Sequence, residues 1–528
     1  MAVLLHDLIF ESATRTPSKT ALKYKSTSLT YAELAEQVSC LSRAFVDIGI
    51  GKQDRIAIYL PKCLENVVAI FAAAAAGAVF VPINPALKSH QVSHILLDCE
   101  AKVLITTQGK CRALNTALGY CVDLQTVVLI DGVDNEEEGL HAQRLIAWDG
   151  LLENPVCPYG HRVIDSDMVS LIYTSGSTGD PKGVILSHRN MVTGAKSVAQ
   201  YLKNTSSDRI LAVLPLSFDY GMSQLTTAFL VGASVVLINY LLPMEVLNTL
   251  AQEKITGLAA VPPLWNLLVE LPWPSEAATN LRYITSSGGV VPVETTELLR
   301  QVLPNTEIFL MYGLTEAFRS TYLAPEQIDK RPTSIGKAIP NAEVLVLRSD
   351  GTPCAVDEPG ELVHRGSLVA MGYWNDVEAT RQRFRPISNR FDAIPGKEIA
   401  VWSGDIVKMD SEGYLYFLRR DDDLIKTMGY RVSPNEIEEI FYRTGLLSEV
   451  VALGIPNTTM GQSIILVVIL KNGVEVTEKQ LLDNCKQRLA NYMLPAEIIF
   501  RSTLPTNPNG KVDRKQLKRE ILESNSDH

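Results

Sequence analysis

Residues 173–183 read Tyr-Thr-Ser-Gly-Ser-Thr-Gly-Asp-Pro-Lys-Gly, and the expected fold is organised around this stretch. Apolar residues precede it at 169–172 and follow it at 184–186, so we predict a loop between two buried strands. Its glycines allow a tight turn that brings backbone N–H groups close to an anion. Lys182 adds a positive charge, and several side chains add hydroxyl donors. These hydroxyl groups belong to Thr174, Ser175, Ser177 and Thr178. The stretch therefore predicts a phosphate-binding loop.

This loop differs from a Walker A loop, in which Gly-Lys is followed by Ser or Thr and opens directly into a helix. Here Lys182 is followed by Gly183 and a further apolar run. A flexible surface turn is the alternative interpretation of a loop rich in serine, glycine and threonine.

The bulk composition indicates a multidomain globular protein. A chain of 528 residues exceeds one hydrophobic core, so two or more domains are expected. Hydrophobic residues at 46% and charged residues at 20% are ordinary for globular proteins. The formal net charge of −10 argues against a nucleic-acid partner, because such proteins present a basic face.

Targeting and cysteine patterns point to the cytoplasm. Residues 1–10 lack a basic segment ahead of a long apolar run, so no secretory signal is predicted. The most apolar stretch, 66–82, is short and rich in alanine, which predicts a core helix and not a membrane span. The eight cysteines are scattered without a CxxC or a paired His, so we expect free thiols and neither disulfides nor a zinc site.

Helical and extended patterns alternate over most of the chain. Thr30 is predicted to cap a helix, with Glu33 at the capping-box position. A strand at 55–60, a helix at 64–76 and a strand at 79–82 form a βαβ unit, which predicts a parallel sheet covered by helices. Further buried strands are expected at 103–106, 126–130, 210–214, 233–238, 257–261 and 283–286.

The pattern changes twice towards the C-terminus. From about Ala342 shorter alternating strands predict an antiparallel β subdomain. The charge run 419–423 precedes a new βαβ-like pattern that reaches Phe500. We predict an α/β protein with a large N-terminal domain, residues 1–419, built from βα subdomains with parallel sheets and a β subdomain. A small α+β C-terminal domain, residues 420–528, is expected to be mobile.

Three further motifs place aromatic, hydroxyl or charged side chains on or near predicted turns. Residues 311–316 read Met-Tyr-Gly-Leu-Thr-Glu and follow a predicted strand, so a turn presents a tyrosine, a threonine and a carboxylate. Residues 402–405 read Trp-Ser-Gly-Asp, and Arg420 follows. Residues 505–514 read Pro-Thr-Asn-Pro-Asn-Gly-Lys-Val-Asp-Arg and place Lys511 on a turn. Taken singly, each motif also fits an ordinary turn or a solvated surface residue.

Together the four motifs resemble, in the same order, those of the AMP-forming adenylating enzymes: acyl-CoA synthetases, adenylation domains of peptide synthetases and firefly luciferase. The resemblance spans about Leu29 to Lys515. It implies that ATP and Mg²⁺ are bound and that the acid is activated as acyl-AMP. The implied nucleotide-binding residues are Thr174, Ser175, Gly176, Ser177, Thr178, Gly179, Lys182, Gly288, Gly289, Tyr312, Gly313, Asp405 and Arg420.

The resemblance also implies individual roles. Tyr312 would stack on adenine, Thr315 would contact phosphate, and Glu316 would help to hold Mg²⁺, which needs only one or two protein carboxylates. Asp405 and Arg420 would bind the ribose and its phosphate. The catalytic lysine of adenylation would be Lys511 and not Lys182, with Thr315 and Glu316 as further catalytic residues. The C-terminal domain would rotate about a hinge near Asp422.

The acid pocket is implied by residues that follow the buried strands. Asp219 comes after Phe218, where amino-acid adenylation domains place an aspartate that pairs with the substrate's amino group. The alternative is that Asp219 caps the next helix. The other implied pocket residues are Tyr220, Ser223, Ala260, Thr285, Ser287, Met311, Arg319 and Ser320. Arg319 is out of place in a purely apolar pocket, and no partner for it can be named from the sequence.

The predicted function is ATP-dependent activation of a small carboxylic acid, with an amino acid such as L-proline as the first hypothesis. Transfer would follow to the phosphopantetheine thiol of a separate carrier protein. The alternative is an AMP-forming ligase that transfers the acyl group to free coenzyme A. A non-catalytic nucleotide-binding protein is a third, remote alternative.

Overall fold

The computed structural model describes residues 2–133, 143–153, 160–174, 181–289, 291–387, 397–420, 424–471, 473–505 and 512–526. For residues 419, 420, 435, 439, 515, 525 and 526 it describes the backbone only.

The first part of the chain alternates between helices and strands. Its elements are α1 (Asp7–Arg15), β1 (Thr20–Tyr24), β2 (Thr27–Thr30), α2 (Tyr31–Asp47), β3 (Arg55–Ile58), α3 (Leu64–Ala76), β4 (Val79–Pro82), α4 (Ser89–Asp98), β5 (Ala101–Thr106), α5 (Gln108–Leu118), β6 (Thr126–Leu129), β7 (Arg144–Ala147), α6 (Trp148–Leu152), β8 (Met168–Thr174), β9 (Lys182–Ser187), α7 (His188–Tyr201), β10 (Arg209–Ala212), α8 (Asp219–Val231), β11 (Ser234–Leu237), α9 (Pro243–Gln252), β12 (Gly257–Ala260), α10 (Pro262–Val269), α11 (Ser275–Asn280), β13 (Tyr283–Ser286), α12 (Val293–Val302) and β14 (Glu307–Tyr312).

The second part is dominated by strands. Its elements are β15 (Thr321–Leu323), β16 (Ser334–Ala338), β17 (Ala342–Leu347), β18 (Gly360–Gly366), β19 (Gly372–Tyr373), α13 (Val377–Arg383), β20 (Phe384–Pro386), β21 (Ile399–Met409), β22 (Leu415–Arg420), β23 (Ile425–Thr427), β24 (Tyr430–Val432), α14 (Pro434–Tyr442), β25 (Leu447–Asn457), β26 (Gly461–Leu470), α15 (Glu478–Cys485), β27 (Glu497–Phe500) and α16 (Arg514–Ser526). Short 3₁₀ turns lie at Thr315–Ala317, Pro325–Gln327 and Asn491–Met493.

Two large sheets form the N-terminal region. The first has the strand order β19-β9-β8-β4-β3-β5-β6-β7; β3 to β8 are parallel to one another, and β9 is antiparallel to both β8 and β19. The second has the order β17-β18-β21-β22-β16-β15-β14-β13-β12-β10-β11-β1-β2, with β20 paired to β21. Within it, β14, β13, β12, β10, β11 and β1 are parallel. The predicted parallel sheets covered by helices are confirmed.

Helix α3 explains how the two sheets share one core. Its residues are apolar on nearly every face, and its inner residues are buried. Phe71 of α3 packs against Phe229 of α8, with ring centroids 5.4 Å apart. The predicted core helix is therefore confirmed. In the described part of the chain no helix is long and apolar enough to cross a membrane.

Strands β17, β18, β20, β21 and β22 are antiparallel, as expected, but they do not form a sheet of their own. Strand β22 pairs with β16 through Ser334 and Tyr416, which joins these strands to the second sheet. The helix predicted after Thr30 is also confirmed, because the capping box of α2 uses Thr30 and Glu33.

The C-terminal region forms a third sheet of order β24-β23-β26-β25, with β27 paired to β26. Helices α14 and α15 cover one face of this sheet and share one apolar cluster with it. Helix α16 covers the other face, over a second apolar cluster. The change of sheet falls between Arg420, the end of β22, and Ile425, the start of β23. The position of Asp422 lies outside the described residues.

Candidate active site

The main cavity lies where parallel strands end. In open α/β sheets the loops after the carboxyl ends of the strands form the ligand crevice. Here the ends of β12, β13 and β14 from the second sheet and of β4 and β8 from the first meet at one cavity of about 150 Å³. The C-terminal region closes it with Gly429, Tyr430 and Arg431.

Asp219 and Arg319 form a buried ion pair at this cavity. The Nη1 of Arg319 donates to the Oδ2 of Asp219 at 3.0 Å, and their side chains are 3% (Arg319) and 14% (Asp219) exposed. Phe218, not Asp219, is the N-cap of α8, and no side chain caps that helix. The alternative capping role of Asp219 is therefore wrong, and Arg319 has the partner that the sequence could not provide.

A second, very small cavity lies beside the first. Its volume is about 10 Å³. Among the residues predicted for the acid pocket, Asp219, Tyr220, Ser287 and Arg319 line the main cavity. Tyr220, Ser223, Thr285, Met311 and Arg319 line the small one.

Two predicted pocket residues lie apart from both cavities. Ala260 is buried at the end of β12 and Ser320 is buried beside His364, and neither lines either cavity. The Oγ of Ser320 instead lies 2.9 Å from the Nδ1 of His364. Burial lowers the pKa of this histidine to about 4, so it is neutral at physiological pH.

Glu316 is a buried carboxylate surrounded by cations. The hydroxyl of Tyr373 donates to its Oε1 at 2.6 Å. Burial alone would raise the pKa of Glu316, but the guanidinium groups of Arg383 and Arg431 and the Tyr373 hydroxyl together lower this pKa below its ordinary value of 4.5. Glu316 is therefore ionised at neutral pH.

This carboxylate suits a cation that is shared with phosphates. The described residues contain no group of three or more His, Cys, Asp or Glu side chains that could hold a metal ion. Mg²⁺ commonly takes only one or two protein carboxylates and completes its shell with phosphate oxygens and water. Glu316 fits that role, in which Mg²⁺ would neutralise phosphate charge.

Substituting Glu316 with glutamine tests this assignment, because it removes the charge with almost no change of shape. We expect pyrophosphate exchange to fall by about 100-fold, the size of effect typical of losing one group that stabilises charge in a transition state. The exchange should also need more Mg²⁺. Glu326→Gln, on an exposed 3₁₀ turn, is the control that should leave both unchanged. A Glu316→Gln protein with the Mg²⁺ dependence of the unmodified protein would contradict the role.

The Tyr312 and Asp405 side chains meet at the junction of β14 and β21. The hydroxyl of Tyr312 hydrogen-bonds to the Oδ2 of Asp405, and both residues are buried. Arg420 lies opposite Asp405 in the β21–β22 pair. The structure thus brings together three of the residues predicted to bind the nucleotide, although the side chain of Arg420 lies outside the described set.

The phosphate loop is described at its two ends. Thr174 ends β8 and lines the main cavity, and Lys182 begins β9, which pairs with β8 in antiparallel fashion. The loop therefore joins two strands as predicted. The Nζ of Lys182 lies 2.9 Å from the Oδ2 of Asp376, so its charge is already paired. The residues predicted between them, Ser175, Gly176, Ser177, Thr178 and Gly179, lie outside the described residues, as does Lys511.

The loop around Gly429 docks against the N-terminal region. Gly429 has a φ of +83° and packs on Val261, and Gly288 and Gly289 lie beside this contact. The ring of Tyr430 stacks on that of Tyr492 with centroids 3.7 Å apart and lies 5.1 Å from the ring of Phe218. This loop therefore forms part of the cavity wall.

Three residues that act on Glu316 were not identified from the sequence. Tyr373 and Arg431 lie in segments that resemble the family, yet neither had an assigned role. No sequence pattern distinguishes Arg383 from the other arginines near α13, and only the fold brings it close to Glu316. Its Nη1 donates to the carbonyl of Trp402 at 3.0 Å. Their shared effect is to keep Glu316 ionised.

Comparison with known proteins defines the class. The family model described as AMP-binding enzyme matches residues 9–374, and the model described as AMP-binding enzyme C-terminal domain matches residues 436–511. The chain therefore belongs to the AMP-binding enzyme family. This confirms the predictions of an adenylate-forming, AMP-forming ligase that uses ATP and of its mixed α/β fold.

Individual relatives differ in what they act on. A linear gramicidin synthase chain from Brevibacillus parabrevis is 30% identical over 97% of this chain, which spans only 6% of that protein. A long-chain-fatty-acid–CoA ligase from Mycobacterium tuberculosis is 29% identical over 97% of both chains. A solved o-succinylbenzoate CoA synthetase from Bacillus subtilis has a TM-score of 0.82, 28% identity and 97% coverage of both chains.

Proposed function

We propose that this chain activates a small carboxylic acid that carries no ammonium group at the Asp219 position. The acid's carboxylate oxygen would attack the α-phosphate of ATP, and the bond to pyrophosphate would break. A thiol sulfur would then attack the acyl carbon, and AMP would leave. The family membership supports the adenylation chemistry, and the Asp219–Arg319 ion pair carries the choice of acid.

Within the ion pair, Arg319 supplies Asp219 with the positive charge that the ammonium group of an amino-acid substrate would otherwise supply. A buried carboxylate without a counter-charge is costly, and an incoming ammonium group would relieve that cost. Arg319 already does so, with its Nη1 at 3.0 Å from the Oδ2 of Asp219. An ammonium group would therefore bring a second cation to a carboxylate that is already neutralised, so we favour an acid without one.

An amino acid remains the second candidate. Asp219 lines the main cavity directly after Phe218, and the match to a gramicidin synthase favours a peptide-synthetase-like reaction. On this hypothesis the substrate's ammonium group would displace Arg319 from Asp219. Proline as the particular amino acid rests on analogy alone, and no contact at the cavity selects it.

A third cavity, larger than the main cavity, supports a route for the thiol. It has a volume of about 500 Å³ and runs between the two domains past Gly288, Gly289 and Gly429. Lys426, Arg514 and Lys518 are among the described residues that line it, and Arg514 is paired with Glu438 at 2.7 Å. The two lysines suit a phosphate-bearing thiol. Free coenzyme A and the phosphopantetheine of a carrier protein both meet this requirement.

The nucleotide would be held by residues from both N-terminal sheets. Tyr312 ends β14, Gly313 and Thr315 follow it, and Asp405 on β21 is hydrogen-bonded to Tyr312. Thr174 and Lys182 flank the loop proposed for the outer phosphates. Lys511 is proposed as the lysine that neutralises charge at the α-phosphate, and Asp422 as the hinge residue.

Pyrophosphate exchange across matched carboxylic and amino acids tests the proposal. We expect exchange with small acids that lack an α-amino group, followed by thioester formation when coenzyme A is added. Exchange only with amino acids would overturn the proposal in favour of the second candidate. ATP binding without exchange on any acid would instead indicate a non-catalytic nucleotide-binding protein.

A further inference from the structure

One donor of the buried Arg319 guanidinium has no hydrogen-bond partner among the described residues. Nη1 donates to the Oδ2 of Asp219 and to the carbonyl of Phe318, both at 3.0 Å. Nη2 is fully buried and unsatisfied. A buried donor without a partner is costly, and more so when it is charged, so this site calls for an acceptor that the described residues do not supply.

The chain holds this guanidinium in place with strained backbone. Phe318 has a φ of +56°, which side chains larger than glycine rarely adopt. Its ring is completely buried and packs against Gly194, where a Cβ would lie only 2.3 Å from the ring. Such strain persists only where the surrounding structure enforces it, typically at functional sites.

A second contact fixes the guanidinium from the other side. Its central carbon lies 4.6 Å from the centroid of the Tyr220 ring, a cation–π distance. The hydroxyl of Tyr220 in turn lies 2.6 Å from the Oγ1 of Thr285 on β13. Arg319 is therefore held by α8, β13 and its own backbone.

An acid that fills the main cavity displaces the water there, so in the complex the acceptor for Nη2 has to come from the acid itself. The small cavity that Arg319 also lines has a volume of about 10 Å³, at the lower limit for holding one water molecule. The main cavity is far larger, at about 150 Å³, and Arg319 lines it as well. Ser217, whose buried hydroxyl also lacks a partner among the described residues, lines the same cavity.

We infer that the acid activated here carries a neutral oxygen on its acyl part, a hydroxyl or an oxo group, which accepts a hydrogen bond from the Nη2 of Arg319. The Asp219–Arg319 pair has no net charge, so a neutral acceptor completes it without leaving a buried charge. A second carboxylate or an ammonium group on the acyl part would leave one. This inference rests on the proposed function and specifies its substrate class.

Matched pairs of acids test the inference by pyrophosphate exchange. Suitable pairs are levulinate against isocaproate and para-hydroxybenzoate against para-toluate, in which a carbonyl or hydroxyl oxygen takes the place of a methyl group. We expect the oxygen-bearing member of at least one pair to have a kcat/KM higher by about 10- to 100-fold, since hydrogen bonds to charged groups contribute about 1.5–3 kcal/mol. Terephthalate and para-(aminomethyl)benzoate, with a charged group at that end, should be poorer than para-hydroxybenzoate.

Variants show whether Arg319 is the donor. Arg319→Met alone would leave Asp219 buried without its partner, so the informative variant is the double substitution Asp219→Leu with Arg319→Met. In this variant the ratio of kcat/KM between the two acids of each pair should fall close to one. A cooperative thermal unfolding transition would confirm that the variant is folded. Arg365→Met removes a guanidinium that pairs with Glu343 on β17, at 3.0 Å, and should keep the preference.

The outcomes separate this inference from the proposed function. Equal exchange within every pair, or a preference for the charged acids, would overturn the inference and leave the adenylation activity intact. A preference that survives in the double variant would assign the recognition to another donor and overturn the role of Arg319. No exchange with any acid would overturn the proposed function and this inference with it.

Discussion

Replacing Gly429 with alanine is expected to slow thiol transfer while sparing acyl-adenylate formation, because Gly429 lines both the main cavity and the cavity proposed as the route of the thiol. A Cβ at this position would lie 2.8 Å from the Cγ1 of Val261 and 3.0 Å from its Cβ, so the docked loop could not keep its place. Overpacking of this kind costs about 1–3 kcal/mol, which corresponds to about 5- to 150-fold. We expect thioester formation from supplied acyl-AMP to fall by that factor, with pyrophosphate exchange nearly unchanged.

The control separates the clash from backbone strain. Gly429 has a φ of +83°, so alanine is strained there even without a neighbour. Gly445, in the same domain, has a φ of +74° and nothing within 4 Å of its Cβ position. Gly445→Ala should therefore carry the strain without the clash and retain thioester formation.

A second substitution supports or contradicts the docking argument. Val261→Ala removes the two methyl groups that the new Cβ would meet, and it should restore part of the thioester formation lost in Gly429→Ala. Loss of pyrophosphate exchange and of thioester formation to the same degree in Gly429→Ala would contradict the argument. That result would show that the loop serves both reactions.

Local patterns allowed much of the fold to be predicted. The helix predicted at 64–76 is α3, Leu64–Ala76, because an alanine-rich apolar run bounded by polar and glycine residues can be satisfied only in a core. The capping box of Thr30 and Glu33 depends on residues only three positions apart, so it could also be predicted from the sequence. The joining of the β subdomain to the second sheet could not be predicted, because the β16–β22 pairing connects segments about eighty residues apart.

In the candidate site, too, local motifs could be predicted from the sequence, whereas contacts between distant segments could not. Motif residues such as Thr174, Tyr312 and Asp405 could be proposed one at a time, and the fold brings Tyr312 and Asp405 into contact. The pairing of Asp219 with Arg319 joins residues 100 positions apart, so no local pattern carries it. That pairing changes the expected substrate, because it gives the carboxylate a cation from the chain itself.

Replacing Lys511 with alanine is expected to have the opposite effect to Gly429→Ala. Lys511 lies outside the described residues, and its role rests on the resemblance of 505–514 to the family motif. A cation aimed at the charge that develops on the α-phosphate is typically worth about 10²–10³ in rate. Pyrophosphate exchange should fall by that factor, while thioester formation from supplied acyl-AMP should persist. Lys486→Ala, which removes an exposed lysine paired with Asp483 in the same domain, should change neither reaction.

The two variants together test whether one small domain serves two reactions. In the described arrangement Gly429 lines the main cavity, whereas Pro505 and Val512, which flank the Lys511 segment, do not. If adenylation requires Lys511 at the α-phosphate, the C-terminal domain must leave this arrangement between the two steps. Opposite defects in Gly429→Ala and Lys511→Ala would follow from that movement. If Lys511→Ala instead impaired thiol transfer as strongly as adenylation, one fixed arrangement would serve both reactions and a hinge at Asp422 would be unnecessary.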